Sequence, residues 1–129
     1  MIVPLLAIML AAPTPALEGP WLTEDRKAIV TIARCGNALC GRITRILVPG
    51  KVPTDINNPD PRLRARPFQN LQILSDFTMK AGSWQGGRIY DPNSGKTYRS
   101  KLALNPDGSL KVSGCIAFIC QSQRWVRPR

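Results

Sequence analysis

The chain has 129 residues, with 18 Lys and Arg against 8 Asp and Glu, four Cys and no His, for a net charge of +10. That length fits one domain with a modest core. The missing His excludes Ser-His and Cys-His nucleophile pairs.

Ile2 to Ala12 form an apolar stretch broken only by Pro4, and Pro13-Thr14-Pro15-Ala16 follows with small residues at 14 and 16. This is the pattern of a secretory signal peptide, cleaved after Ala16, although no Lys or Arg precedes the apolar run. The run is too short to cross a bilayer, which takes roughly 20 apolar residues. No Cys ends it, so a lipid anchor is not indicated. The expected mature domain, Leu17 to Arg129, keeps the whole basic excess. A periplasmic or secreted location follows.

Lys27 to Arg34 is short and β-branched, and Cys40 to Val48 repeats the character; both read as strands. Gly36-Asn37-Ala38-Leu39 between them is a hairpin turn bracketed by Cys35 and Cys40. Pro49 to Pro67 is a long connection with five prolines, in which a short helical turn is expected within Asp60 to Arg66. A connection of this length in a compact domain is often functional. Leu71 to Phe77 and Ser83 to Tyr90 are strands, and Gly86-Gly87 marks a bulge or bend in the second. Asp91-Pro92-Asn93-Ser94-Gly95-Lys96 and Asn105-Pro106-Asp107-Gly108 are turns. Thr97 to Leu104 alternates between them, with Tyr98, Ser100, Leu102 and Leu104 on one face. Ser109 to Gly114 alternates again, setting Leu110 and Val112 against Lys111 and Ser113. Cys115 and Cys120 bracket an apolar tip, Ile116-Ala117-Phe118-Ile119, and Gln121 to Arg127 is the last strand.

Seven or eight sequential strands joined by short turns close most simply into an all-β, antiparallel up-and-down barrel, which leaves no free edge. A two-sheet sandwich is the alternative. A barrel of about eight strands is either filled by side chains or holds one small ligand. Tyr98, Leu102, Leu104, Leu110 and Val112 are the candidate lining.

The four cysteines form two identically spaced pairs, Cys35-x4-Cys40 and Cys115-x4-Cys120. Zinc knuckles more often use two-residue spacing and recruit His, and redox dithiols read Cys-x-x-Cys. In a small exported domain cysteines usually pair. Spacing favours the two local bridges, each contributing roughly 2 kcal/mol by the chain-entropy estimate. No metal or other cofactor is expected.

Gly95-Lys96-Thr97 lacks the upstream Gly and the following helix of a phosphate loop. Asp55, Asp60, Asp76 and Asp91 offer no recognisable catalytic pair, and Asp60 and Asp91 precede prolines, where a turn role is expected. No catalytic residue is assigned. The basic residues are spread along the chain, densest from Arg42 to Arg66, and neither a basic helix nor aromatic stacking platforms point to nucleic acid.

Gly19-Pro20-Trp21 near the start, with Arg124 and Arg127 around Trp125 at the end, resembles the Gly-x-Trp and basic-residue signature of lipocalin and calycin barrels. In those folds the basic residue crosses the Trp ring and seals one end, which casts Trp21, Arg124 and Arg127 as a structural seal. The blocks GPWLTEDRKAIVTIARCGNALCGRI, DINNPDPRLRARPFQNLQIL, WQGGRIYDPNSGKTY, LKVSGC and QRWVR together resemble the bacterial domain-of-unknown-function family 2147. The resemblance spans about Gly19 to Arg127 and implies signal peptides and calycin-like barrels. It carries no catalytic residue. One departure is Asn70, where the family pattern leads us to expect Gly; the backbone conformation there is open.

Two functions fit these features. One is an exported lipocalin-type protein holding a small lipophilic ligand. The other is an envelope interaction or structural module whose basic surface meets an anionic envelope component.

Overall fold

The computed structural model describes residues 16–129, so the expected signal segment lies outside the described residues except for Ala16. Eight strands follow in chain order: β1 (Gly19–Leu22), β2 (Ala28–Cys35), β3 (Ala38–Ile46), β4 (Gln72–Lys80), β5 (Ser83–Asp91), β6 (Lys96–Leu104), β7 (Leu110–Ile116) and β8 (Ile119–Trp125). Each pairs antiparallel with the next, in one sheet ordered β1 to β8. The architecture is therefore the expected up-and-down meander. Among the described residues no helix is long and apolar enough to cross a membrane.

Local chemistry sets the turns. Asn105 and Ser109 close the β6–β7 turn through an Asn105 N–H to Ser109 O bond of 2.8 Å. The Asp91 carboxylate takes the Asn93 N–H at 2.9 Å and the Ser94 hydroxyl at 3.0 Å, as the Asp-Pro turn reading expects. The anticipated bend at Gly86-Gly87 is present: Gly86 has φ +73°, and the β5–β6 register shifts between Trp84 and Gly87. Gly87 faces inward, and a Cβ there would overlap the Phe77 ring. The glycine thus makes room for the largest side chain that β4 contributes to the core.

The curl brings β1 round to the end of β8. Leu22 and Val126 exchange both backbone hydrogen bonds, at 2.7 and 3.1 Å. The closure stops there. β1 has four residues because Thr23 to Arg26 turns away: the Arg26 N–H reaches Thr23 O at 2.9 Å, and the Thr23 hydroxyl donates to Asp25 at 2.7 Å. Among the described residues no strand pairs with the outer edge of β8 from Ile119 to Gln123; the Glu24 carboxylate takes the Arg124 N–H instead, at 2.5 Å. The molecule is a half-open barrel, closed at one end and slit along one side.

The two ends differ. The β2–β3, β4–β5 and β6–β7 turns share one end with Leu17 and Val126. There Trp21, Leu39, Phe77, Leu102, Leu110 and Trp125 pack into a core with at most 2% exposure each. The other end carries the β1–β2, β3–β4, β5–β6 and β7–β8 connections.

Both local cysteine bridges are formed, and they sit at opposite ends. Cys115 is directly opposite Cys120 in the β7–β8 register, with Cα atoms 4.0 Å apart. Cys35 faces Ala38 and Cys40 faces Ala33, so that bridge runs diagonally over a Cα separation of 5.8 Å. The first hairpin turn is accordingly tighter than the cysteine bracket, with Gly36-Asn37 alone at its tip. The last strand ends at Trp125 rather than Arg127, and β4 runs on to Lys80.

Gly87→Ala is expected to lower stability by about 1–3 kcal/mol through overpacking against Phe77. Gly50→Ala, whose new methyl meets nothing within 4 Å, is expected to change it by less than about 0.5 kcal/mol. Urea unfolding midpoints of the two variants check the contrast.

Candidate ligand cavity

The open end holds a cavity of about 950 Å³. Its floor is apolar: Val30, Ile43, Val112 and Trp125 belong to the buried core and border this space. Ile73, Ile89 and Tyr98 form wall, and Gly114 and Ala28 leave room where the packed end carries large side chains. Towards the mouth the lining turns polar, with Thr23, Glu24, Lys27, Gln121 and Gln123 bordering the slit beside β8.

The five residues read from sequence divide. Tyr98 and Val112 line the cavity. Leu102 and Leu110 do not: each is 0% exposed in the packed end. Leu104 lies against that core, away from the cavity. The strand face was identified, but strand position decides between filler and lining. Gly114 carries no side chain to read, Val30 and Ile43 stand on strands whose apolar residues fall on both faces, and Ile89 follows the bend at Gly86-Gly87, which interrupts the alternation.

The connection from Pro49 to Pro67 is organised around one buried acid. The Asp55 side chain is 0% exposed. One oxygen accepts the Tyr90 hydroxyl at 2.6 Å, and the other accepts the Asn58 amide at 2.8 Å and the Arg66 guanidinium at 3.4 Å. Asp60 caps a single 3-10 turn, Pro61–Leu63, by accepting the Arg62 N–H at 3.0 Å. Asn57 donates to Pro92 O and Asn93 O, so the connection is pinned to the β5–β6 turn. Tyr90 is also a cavity wall residue. The connection therefore holds one side of the mouth in place. Asp55 and Asp60 serve different structures and make no carboxylate pair. Burial, then the hydrogen bond and charge of Asp55, push the Tyr90 hydroxyl up to about 12.

Opposite the mouth, the Arg127 guanidinium lies 3.8 Å from the centroid of the Trp21 ring. A cation–π contact of this kind is worth about 0.5–2 kcal/mol. Arg127 also donates to Pro20 O at 2.9 Å and Glu18 O at 3.0 Å, and the Trp21 indole donates to Leu17 O at 2.8 Å. Gly19 has φ +107°, and a Cβ there would stand 3.0 Å from the guanidinium. Arg124 takes no part in this seal: its side chain pairs with Asp107 at 2.8 Å. Alternation separates the two, because Arg127 shares the face of Trp125 and Arg124 points the other way.

Asn70 answers the open backbone question. Its φ is +66°, the left-handed conformation that glycine adopts freely and Asn tolerates better than most residues. Its N–H donates to Ile43 O at 2.7 Å, setting the chain's entry into β4.

Residues 19–127 match the model of a family described as "Uncharacterized protein conserved in bacteria (DUF2147)". Among solved structures, protein HP1028 from Helicobacter pylori, described as belonging to the lipocalin family, is similar with a TM-score of 0.78 and 24% identity, over 88% of this chain and 84% of that one. At that identity the likeness speaks for the fold. No curated protein matches the sequence.

Tyr90→Phe is expected to destabilise the protein by about 1.5–3 kcal/mol, the range for a hydrogen bond to a charged group. Because folding raises this phenol's pKa from 10.0 to about 12, its contribution is complete below pH 10 and lost as pH climbs towards 12. Thermal melts of wild type and Tyr90→Phe should therefore converge across that interval. Ultraviolet absorbance titration should show one late tyrosinate that the variant lacks.

Proposed function

The chain belongs to the bacterial DUF2147 family, and on that premise we propose that it is an exported, lipocalin-like carrier holding one small apolar or amphipathic molecule in its open end. The observation that carries this reading is the cavity. Its volume of about 950 Å³ falls within the range of roughly 300–1,000 Å³ that small-molecule sites occupy. An apolar floor of Val30, Ile43, Val112 and Trp125 suits a hydrocarbon body, and the polar mouth suits a head group left near water. The reading assigns binding, not catalysis. Export is supported by the two disulfides, which persist in oxidising compartments and are rare in the cytosol.

Gly114 gives a direct test. A Cβ built there meets only Ile89 at 3.7 Å and Tyr98 at 3.8 Å, ordinary contact distances, and the backbone φ is one any residue adopts. Gly114→Phe is expected to set a ring beside Ile89 and Tyr98 and narrow the cavity while the protein stays folded. Native mass spectrometry of gently purified wild type should show a co-purifying small molecule, or uptake of an added fluorescent long-chain alcohol, at one per chain. The variant should show markedly less of either. Wild type that takes up no apolar probe, or a folded variant that takes it up equally, contradicts the carrier reading.

A further inference from the structure

The β7–β8 hairpin ends in a turn unlike the others. Hairpin turns usually carry Gly, Asn or Asp, as at Gly36-Asn37 and Asn105 to Gly108. Here the turn is Ala117-Phe118, flanked by the paired Ile116 and Ile119. Phe118 is 102% exposed, Ile119 73% and Ile116 67%. The Cys115–Cys120 bridge ties the strands directly behind these residues, and Arg99 braces the turn by donating to Ala117 O at 2.6 Å. The tip is thus a fixed apolar prow.

The prow is continuous with the cavity, because Ile116 and Ile119 line its mouth together with Val48. Val48 and Val52, in the connection leaving β3 at this same end, are exposed as well. Exposed cations lie at this same end of the barrel: Arg26 and Lys27 in the β1–β2 turn, Lys51 beyond β3, and Lys96 and Arg99 at the start of β6, the last in contact with the tip through Ala117 O. Three carboxylates share this end, Glu24 bonded to the Arg124 N–H, Asp25 to Thr23 and the Lys27 N–H, and Asp91 to its own turn, and the five cations outnumber them.

We propose that this end of the barrel docks on a lipid bilayer bearing anionic head groups. Phe118, Ile116 and Ile119 enter the boundary between head groups and acyl chains, and the Lys and Arg of this end remain at the phosphates. Apolar side chains at an end that also carries an excess of cations match that layered chemistry, since long basic side chains keep their charges in the head-group layer while their stems lie along apolar surface. Docking in this orientation faces the cavity mouth to the bilayer, so that a molecule passes between acyl chains and cavity without crossing water. The inference goes beyond the carrier reading and does not need the cavity to be filled.

Vesicle flotation of the disulfide-bonded protein tests it. Wild type is expected to float with vesicles of phosphatidylcholine and phosphatidylglycerol, and less well with phosphatidylcholine alone or at high salt. Phe118→Ser, with an unchanged circular dichroism spectrum, should bind about ten- to a hundred-fold more weakly, the equivalent of leaving one large apolar side chain in water. Lys51→Glu with Lys96→Glu should remove the preference for the anionic vesicles. Gly114→Phe should float like wild type, which separates docking from carriage. The proposal is overturned if wild type floats with neither vesicle, if Phe118→Ser floats as well as wild type, or if Gly114→Phe abolishes flotation. The first outcome would leave the prow as a protein-binding tip.

Discussion

The fold depends on how little of the barrel is closed. One residue pair, Leu22 with Val126, joins the first strand to the end of the last. The seal around it is dense: Arg127 lies on the Trp21 ring, Gly19 leaves space for the guanidinium, and the Trp21 indole is tied to Leu17. A longer β1 would pair along β8 and remove the slit. The turn from Thr23 to Arg26 prevents that, and the cavity and its mouth follow from it.

Packing then becomes a gradient along the barrel axis. At the sealed end Trp21, Phe77, Leu102 and Leu110 interlock, helped by an inward glycine that accepts the Phe77 ring. At the other end the inward positions carry Ala28 and Gly114, and the strands hold a volume apart instead of filling it. The same residue type has opposite uses. Gly87 is filled by a neighbour, whereas Gly114 is left open. The mouth keeps its shape because the Pro49 to Pro67 connection is anchored at Asp55 and Asn57 to the β5–β6 hairpin.

Much of the meander was legible because its signals are local. The Asn-Pro-Asp-Gly and Asp-Pro-Asn-Ser-Gly turns, the alternation from Thr97 to Leu104, and the cysteine brackets each act within about ten residues of the chain. What stayed hidden depends on distant partners. Asp55 reads as an unremarkable loop acid until Tyr90, 35 positions away, meets it. The four-residue β1 is too short to show a period. Whether Leu102 fills and Val112 lines is a matter of height in the barrel, which alternation does not encode. The choice of Arg127 over Arg124 was available, since Arg127 stands two residues from Trp125 and so on its face. The lone exposed Phe118 stood in the sequence as an apolar tip, and its use depends on what surrounds the mouth.

The open end holds an apolar-floored cavity that side chains leave free and that opens at the mouth. A crystal structure of the protein soaked with a bromine-labelled long-chain alcohol tests it most directly. The account predicts anomalous bromine density between Tyr98, Val112 and Gly114, with the side chains of the sealed end unmoved. Side chains collapsed into that space, with no bromine inside the barrel, would contradict it.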